Sequence, residues 1–263
     1  MKHRILLPAA ILLLCWTTAA QAATPNLREV KLVAQLPKEL PQEVIGLAYD
    51  GEQLWATIFH GRGAYAKLDP TSLTWTVDKD PEHHRIIESV NGIGGPAGVC
   101  FADGMMWIGG AFGESFGPID PQNWTTGRVI KRKQRTGTGT QIYSSLAWDG
   151  NNLWIAWHWI DYKQPLEQTQ RLLKVDPLTG NVIADFPVPP GNPNDLTHAL
   201  TFDGTNLWHM KDQRLSAIDP ATGKVTAVYI VPEICRASGL AWIKDTLWIS
   251  EFNGKIWRLP FTS

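Results

Sequence analysis

One ten-residue pattern occurs five times in this chain, and it restricts the fold more than any other feature. The copies run from Gly46 to Trp55, Gly98 to Trp107, Ser145 to Trp154, Ala199 to Trp208 and Gly239 to Trp248. Each opens on a small residue nine places before the tryptophan. Leu or Val follows it, and an aromatic stands three places after it. A short apolar run, an Asp-Gly or similar polar turn and a second apolar run describe a β-hairpin. Most copies continue into a third strand ending in Asp-Pro (Asp69-Pro70, Asp176-Pro177, Asp219-Pro220). A fourth strand then opens at Gly180 or Gly223. Four short strands per repeat is the unit of a β-propeller blade. The expected fold is all-β, a five-bladed β-propeller. A β-sandwich has no reason to hold one register five times.

The ends of the chain bear on closure. The fifth unit stops after its third strand, Lys255 to Leu259, four residues before Ser263. Residues 29–36 resemble the run Val225 to Val231, which holds the fourth-strand place of blade four. These N-terminal residues are therefore expected to complete the last blade and close the ring, which removes an open sheet edge.

The first residues read as a targeting segment. Lys2 and Arg4 precede an apolar run from Ile5 to Trp16, and Ala20-Gln21-Ala22 is a small-x-small cleavage site. This predicts a signal peptide over residues 1–22 and a single propeller domain over 23–263. The product is expected to be periplasmic or secreted, without an anchor. No other apolar run approaches the ~18 residues of a membrane span. The formal net charge of −1 gives no basic surface for nucleic acid. A monomer is expected. Cys100 and Cys235 remain after cleavage, and their spacing leaves pairing open.

Loop length separates the two faces of the disc. First-to-second and third-to-fourth turns are short throughout. The insertions, such as Asp78 to Pro96, Lys131 to Ile142, Trp157 to Gln170 and Val188 to Thr197, emerge on the other face. Function concentrates on such loops, so the site is sought at the central funnel of the long-loop face. His198 immediately precedes the inner strand of blade four. Lys211 and Glu251 each fall three places after their repeat tryptophan, where an ion pair between neighbouring blades is expected to be structural. Arg236 lies on the connection into blade five. Trp157-His158-Trp159 is an unusual aromatic cluster suited to stacking on sugars, peptides or flat rings. His60, His158 and His209 follow the tryptophans of blades one, three and four. His158 sits at an even offset and the other two at odd offsets. Opposite parity means opposite strand faces, which argues against one simple metal-binding ring. No cofactor is predicted; a divalent metal on these histidines is the minor alternative. The basic run Lys131 to Arg135 reads as a solvated loop, and Pro165 to Arg171 as a helical turn or two at most.

With these residues in view, the repeat resembles that of exported five-bladed propellers of the glutaminyl cyclase (glutamine cyclotransferase) type. It is similar, more loosely, to virginiamycin B lyase and to the regucalcin/gluconolactonase group. The resemblance covers residues 23–263 and rests on scaffold positions. It implies cyclisation of N-terminal glutamine at the funnel, with an acidic residue shuttling protons. Where that family carries Gln-Gly-Leu and an Asn-Glu-Leu-type acid, this chain has Ile45-Gly46-Leu47 and Thr197-His198-Ala199. The regucalcin-like group implies a calcium held by funnel Glu, Asp and Asn, and no such set stands out here. Two expectations result. One is a propeller that binds a small molecule, a peptide or an exported protein partner at its funnel, using Trp157, His158, Trp159, Arg236, His60 and His209. The other is a cyclotransferase-, lactonase- or lyase-like enzyme with Glu251 as proton shuttle and His198 or Lys211 as polarising group.

Overall fold

The computed structural model describes residues 24–59, 65–91, 95–110, 115–131, 139–161, 163, 169–192 and 197–262. The predicted signal peptide and His60 lie outside them. The described chain forms five antiparallel sheets arranged as a five-bladed propeller. Blade one comprises Val44–Tyr49, Leu54–Ile58, Tyr65–Leu68 and Trp75–Val77. Blade two comprises Pro96–Ala102, Met105–Gly110, Ser115–Ile119 and Ile130–Lys131. Blade three comprises Gly139–Trp148, Leu153–Asp161, Thr169–Val175 and Val182–Pro187, and blade four Ala199–Phe202, Leu207–Lys211, Arg214–Ile218 and Val225–Ile230. Blade five has Ala237–Ile243, Thr246–Glu251 and Lys255–Thr262. Its fourth strand is Lys31–Gln35, paired antiparallel with the C-terminal strand (Lys31 opposite Arg258, Gln35 opposite Lys255). The two ends of the chain thus close the ring, as expected.

The repeat is explained position by position. In blades one, three and four the turn aspartate does two jobs. One oxygen of Asp50, Asp149 and Asp203 accepts two backbone N–H groups of the turn. The other accepts the indole N–H of Trp55, Trp154 or Trp208 at 2.6, 2.9 and 2.7 Å. The spacing from Asp to Trp is therefore a hydrogen-bond spacing. Blades two and five turn instead on two residues with positive φ, Asp103-Gly104 and Lys244-Asp245, and lack this bond.

The small residue that opens each copy sits where the inner strands converge. A Cβ on Gly239 would lie 2.2 Å from the Leu47 nitrogen, and one on Gly98 2.6 Å from the Ser145 Cα. Five apolar clusters fill the five seams between blades, each drawing on residues of both neighbours. The tryptophans Trp55, Trp154 and Trp208 are buried at their centres, which is the source of the core's stability.

One element departs from expectation. The insertion after Asp78 carries an α-helix, Pro81–Asn91. Asp80 Oδ1 accepts the Glu82 N–H at its start, Pro81 needs no donor there, and Ile87 and Val90 are buried. His83 is held by Asp78 at 2.6 Å and stacks on Trp124, so it anchors the helix to blades one and two. The helical turn expected over Pro165 to Arg171 is not seen where it is described: Thr169–Val175 is a strand.

Candidate functional site

Alternation along the second strands decides which side chains meet. In blade four, Leu207 joins the seam with blade three, whereas Trp208 and Met210 join the seam with blade five. His209 and Lys211 share the parity of Leu207 and face blade three. In blade three, Trp154 and Ala156 face blade four, and His158 follows them. The parity that separates His158 from His209 on a single sheet makes them confront one another across a seam. His198, just before the inner strand of blade four, lies between: its ring is 4.4 Å from that of His158 and 5.0 Å from that of His209.

All four basic side chains are buried: His158, His198 and His209 completely and Lys211 to within 2%. Lys211 Nζ donates to Gln170 Oε1 at 2.5 Å and lies 3.2 Å from His198 Nε2. His198 Nδ1 is 2.7 Å from His209 Nε2. His158 Nε2 is 2.8 Å from Ser144 Oγ, whose residue sits at a bulge in the inner strand of blade three. Burial lowers the pKa of His158 to about 3, helped by the charges of Lys211 and His209. Burial and Lys211 bring His209 to about 3 as well. Burial, then the neighbouring imidazoles and Lys211, hold His198 well below the ordinary range. The three rings are neutral at physiological pH. Among the described residues Ser144 and Gln170 also belong to the group, and the sequence alone points to neither. Gln170 stands opposite His158 in the strand register, and a glutamine beside a histidine in an apolar seam was the available signal.

Other predicted site residues lie elsewhere. Glu251 faces the seam between blades four and five, with the sheet of blade four between it and Lys211. Its carboxylate accepts the Cys235 N–H (3.0 Å), the Arg236 N–H (3.4 Å) and the Trp257 indole N–H (2.8 Å). It fixes the connection into blade five and does not join the histidines, and no ion pair links it to Lys211 among the described residues. Trp157 and Trp159 do not overhang the funnel. The second strand of blade three runs on to Asp161, so both indoles continue its alternation into the apolar seam with blade two. Trp157 Nε1 donates to Gln141 there. Arg236 is exposed, its guanidinium 4.1 Å from the centre of the Phe252 ring. Cys100 and Cys235 are both free thiols, the first buried and the second exposed. Among the described residues, no three His, Cys, Asp or Glu side chains are set to hold a metal ion. None of the described helices is long and apolar enough to cross a membrane.

Two cavities among the described residues lie on the short-turn side. One of ≈ 140 Å³ ends the central channel among the inner strands, from Leu47–Tyr49 round to Leu240–Trp242. Its lining includes two titratable side chains, the Cys100 thiol, whose pKa burial raises, and Tyr49, whose hydroxyl donates to the Gly51 carbonyl. A groove of ≈ 420 Å³ between blades one and two borders Asp50, Lys67 and Asp103. Asp50 is already committed to its turn and to Trp55. Neither cavity gathers reactive groups as the buried seam does.

No protein-family profile matches the chain, and no curated protein matches it in sequence. Solved structures do match its fold. The glutaminyl cyclase of Myxococcus xanthus superposes with a TM-score of 0.59 at 12% identity, over 88% of this chain and 96% of that one. Virginiamycin B lyase from Staphylococcus aureus gives a TM-score of 0.50 at 12% identity, over 88% and 99%. At such identity the likeness is one of architecture: the chain is a five-bladed β-propeller built like those two enzymes.

Proposed function

We propose that this chain is an exported propeller that binds a small polar molecule or a peptide at the long-loop mouth of its funnel, above the seam of blades three and four. The observation that supports the reading is the buried group of His158, His198, His209 and Lys211. Burying polar side chains in a core costs stability, departures of this kind are expected at functional sites, and no other seam of the described residues holds such a set. Lys211 lies at the end of its strand beside Gly191, and His198 immediately precedes the inner strand of its blade. A ligand with oxygen acceptors suits a lysine there.

An enzymatic reading, as a cyclotransferase, lactonase or lyase, draws on the architectural likeness. In it Lys211 polarises a carbonyl and His198 orients Lys211, while Glu251 keeps the loop of blade five in place. The two readings separate in assays on residues 23–263. A ligand panel of carboxylates, amides, sugars and short peptides is expected to raise the thermal midpoint of the native protein and not of Lys211→Met. Release of ammonia from Gln-initiated peptides, or opening of lactones, favours the enzyme. Ligands that bind native and Lys211→Met protein equally would remove the seam from the site.

A further inference from the structure

The hydrogen bonds of the buried group have a direction that can be derived. An ammonium has only donors, so Lys211 donates to His198 Nε2. With that nitrogen accepting, the His198 proton is on Nδ1 and is given to His209 Nε2. His209 then carries its own proton on Nδ1. On the other side, Ser144 Oγ lies 3.1 Å from the Ala156 carbonyl and donates to it. The same oxygen therefore accepts from His158 Nε2–H, which leaves His158 Nδ1 as a bare lone pair. His209 Nδ1 and His158 Nδ1 are both buried and have no hydrogen-bond partner. One is a donor and the other an acceptor. Their rings pack against the same third imidazole, His198.

We infer that internal water joins these two nitrogens, accepting from His209 and donating to His158, and so makes one unidirectional chain from Lys211 to the Ala156 carbonyl. Buried polar atoms in native proteins are satisfied, and water is the usual agent where protein groups fall short. The two termini have the polarity that a bridging water requires. The chain gives the three histidines a positioning role: each holds the next in a single tautomer, and His198 presents Nε2 as the acceptor for Lys211. The reverse direction demands a neutral Lys211 amine accepting from His198, with His209 protonated on Nε2. The inference concerns the resting protein and survives or fails independently of any ligand, although it rests on the proposed site for its use.

Two-bond nitrogen–proton correlation spectra of 15N-histidine-labelled protein at neutral pH test it. The expected pattern is Nδ1–H for His198 and His209, Nε2–H for His158, and a water exchange or Overhauser peak at the His209 Hδ1. Lys211→Arg, which can only donate, is expected to keep that pattern. Lys211→Met is expected to lose the single-tautomer signature at His198. A wild-type His209 protonated on Nε2 would overturn the direction. A His209 Nδ1–H with no water contact would overturn the bridge. Failure of every ligand to bind would leave these spectra unchanged and count only against the proposed function.

Discussion

The second strand of blade four, Leu207–Lys211, presents two unlike faces. Trp208 and Met210 look toward blade five into an apolar cluster with Leu240, Leu247, Ile249 and Phe261. Leu207, His209 and Lys211 look toward blade three, where the seam turns polar above Leu207. The first face does what every seam of a propeller must do, burying large side chains against a neighbour. The second gives up part of that burial for a hydrogen-bonded group. The contrast within five residues teaches that the polar seam is a local departure from the apolar packing that fills the seams.

The apolar face should give the largest effect. Trp208→Ala removes a fully buried indole and is expected to destabilise the fold by about 3–5 kcal/mol in urea unfolding; a loss below about 1 kcal/mol would deny that the seams carry the stability. The polar face should cost less. His209→Leu leaves His198 Nδ1–H without its acceptor, and about 1–3 kcal/mol is expected. His198→Leu together with His209→Leu should cost less than the sum of the single changes, because His198→Leu removes the donor that His209→Leu strands. Additive costs would mean that the two rings are not one unit. The smallest effect belongs to the turns: Asp203→Ala removes the acceptor of the Trp208 indole and of two turn amides, for about 1 kcal/mol. The corresponding change at Asp103, which makes no such bond to Trp107, should cost less than Asp203→Ala.

The same contrast explains what could be read from sequence. The blades were legible because the repeat carries its own geometry. The small residue marks the crowded axis, and the Asp and Trp are five places apart because a carboxylate must reach an indole. The closing strand was legible from its likeness to Val225 to Val231. The helix Pro81–Asn91 was not anticipated, although Asp80-Pro81 and the spacing of Ile86, Ile87 and Val90 signal one. Trp157 and Trp159 read as loop residues because the strand that buries them, Leu153–Asp161, is longer than its counterparts. At the site, His158, His198, His209 and Lys211 could each be picked out. Their meeting could not be read within one repeat, since it depends on which faces of two successive blades oppose one another. Ser144 was hidden for a related reason: only a bulge aims it at His158.

The central claim is that three imidazoles are held neutral in that seam, and the pH dependence of stability tests it most directly. Their folded pKa values are depressed below the unfolded value of roughly 6.5. The unfolded chain therefore binds more protons as acid is added. Stability is complete above about pH 6.5 and is lost as pH falls toward about 3, at up to roughly 1.4 kcal/mol per pH unit for each histidine. Urea unfolding between pH 6.5 and pH 5 should show a slope that steepens toward three protons in the wild type and drops by one in His209→Leu. A stability that stays level or rises over that interval would contradict the account.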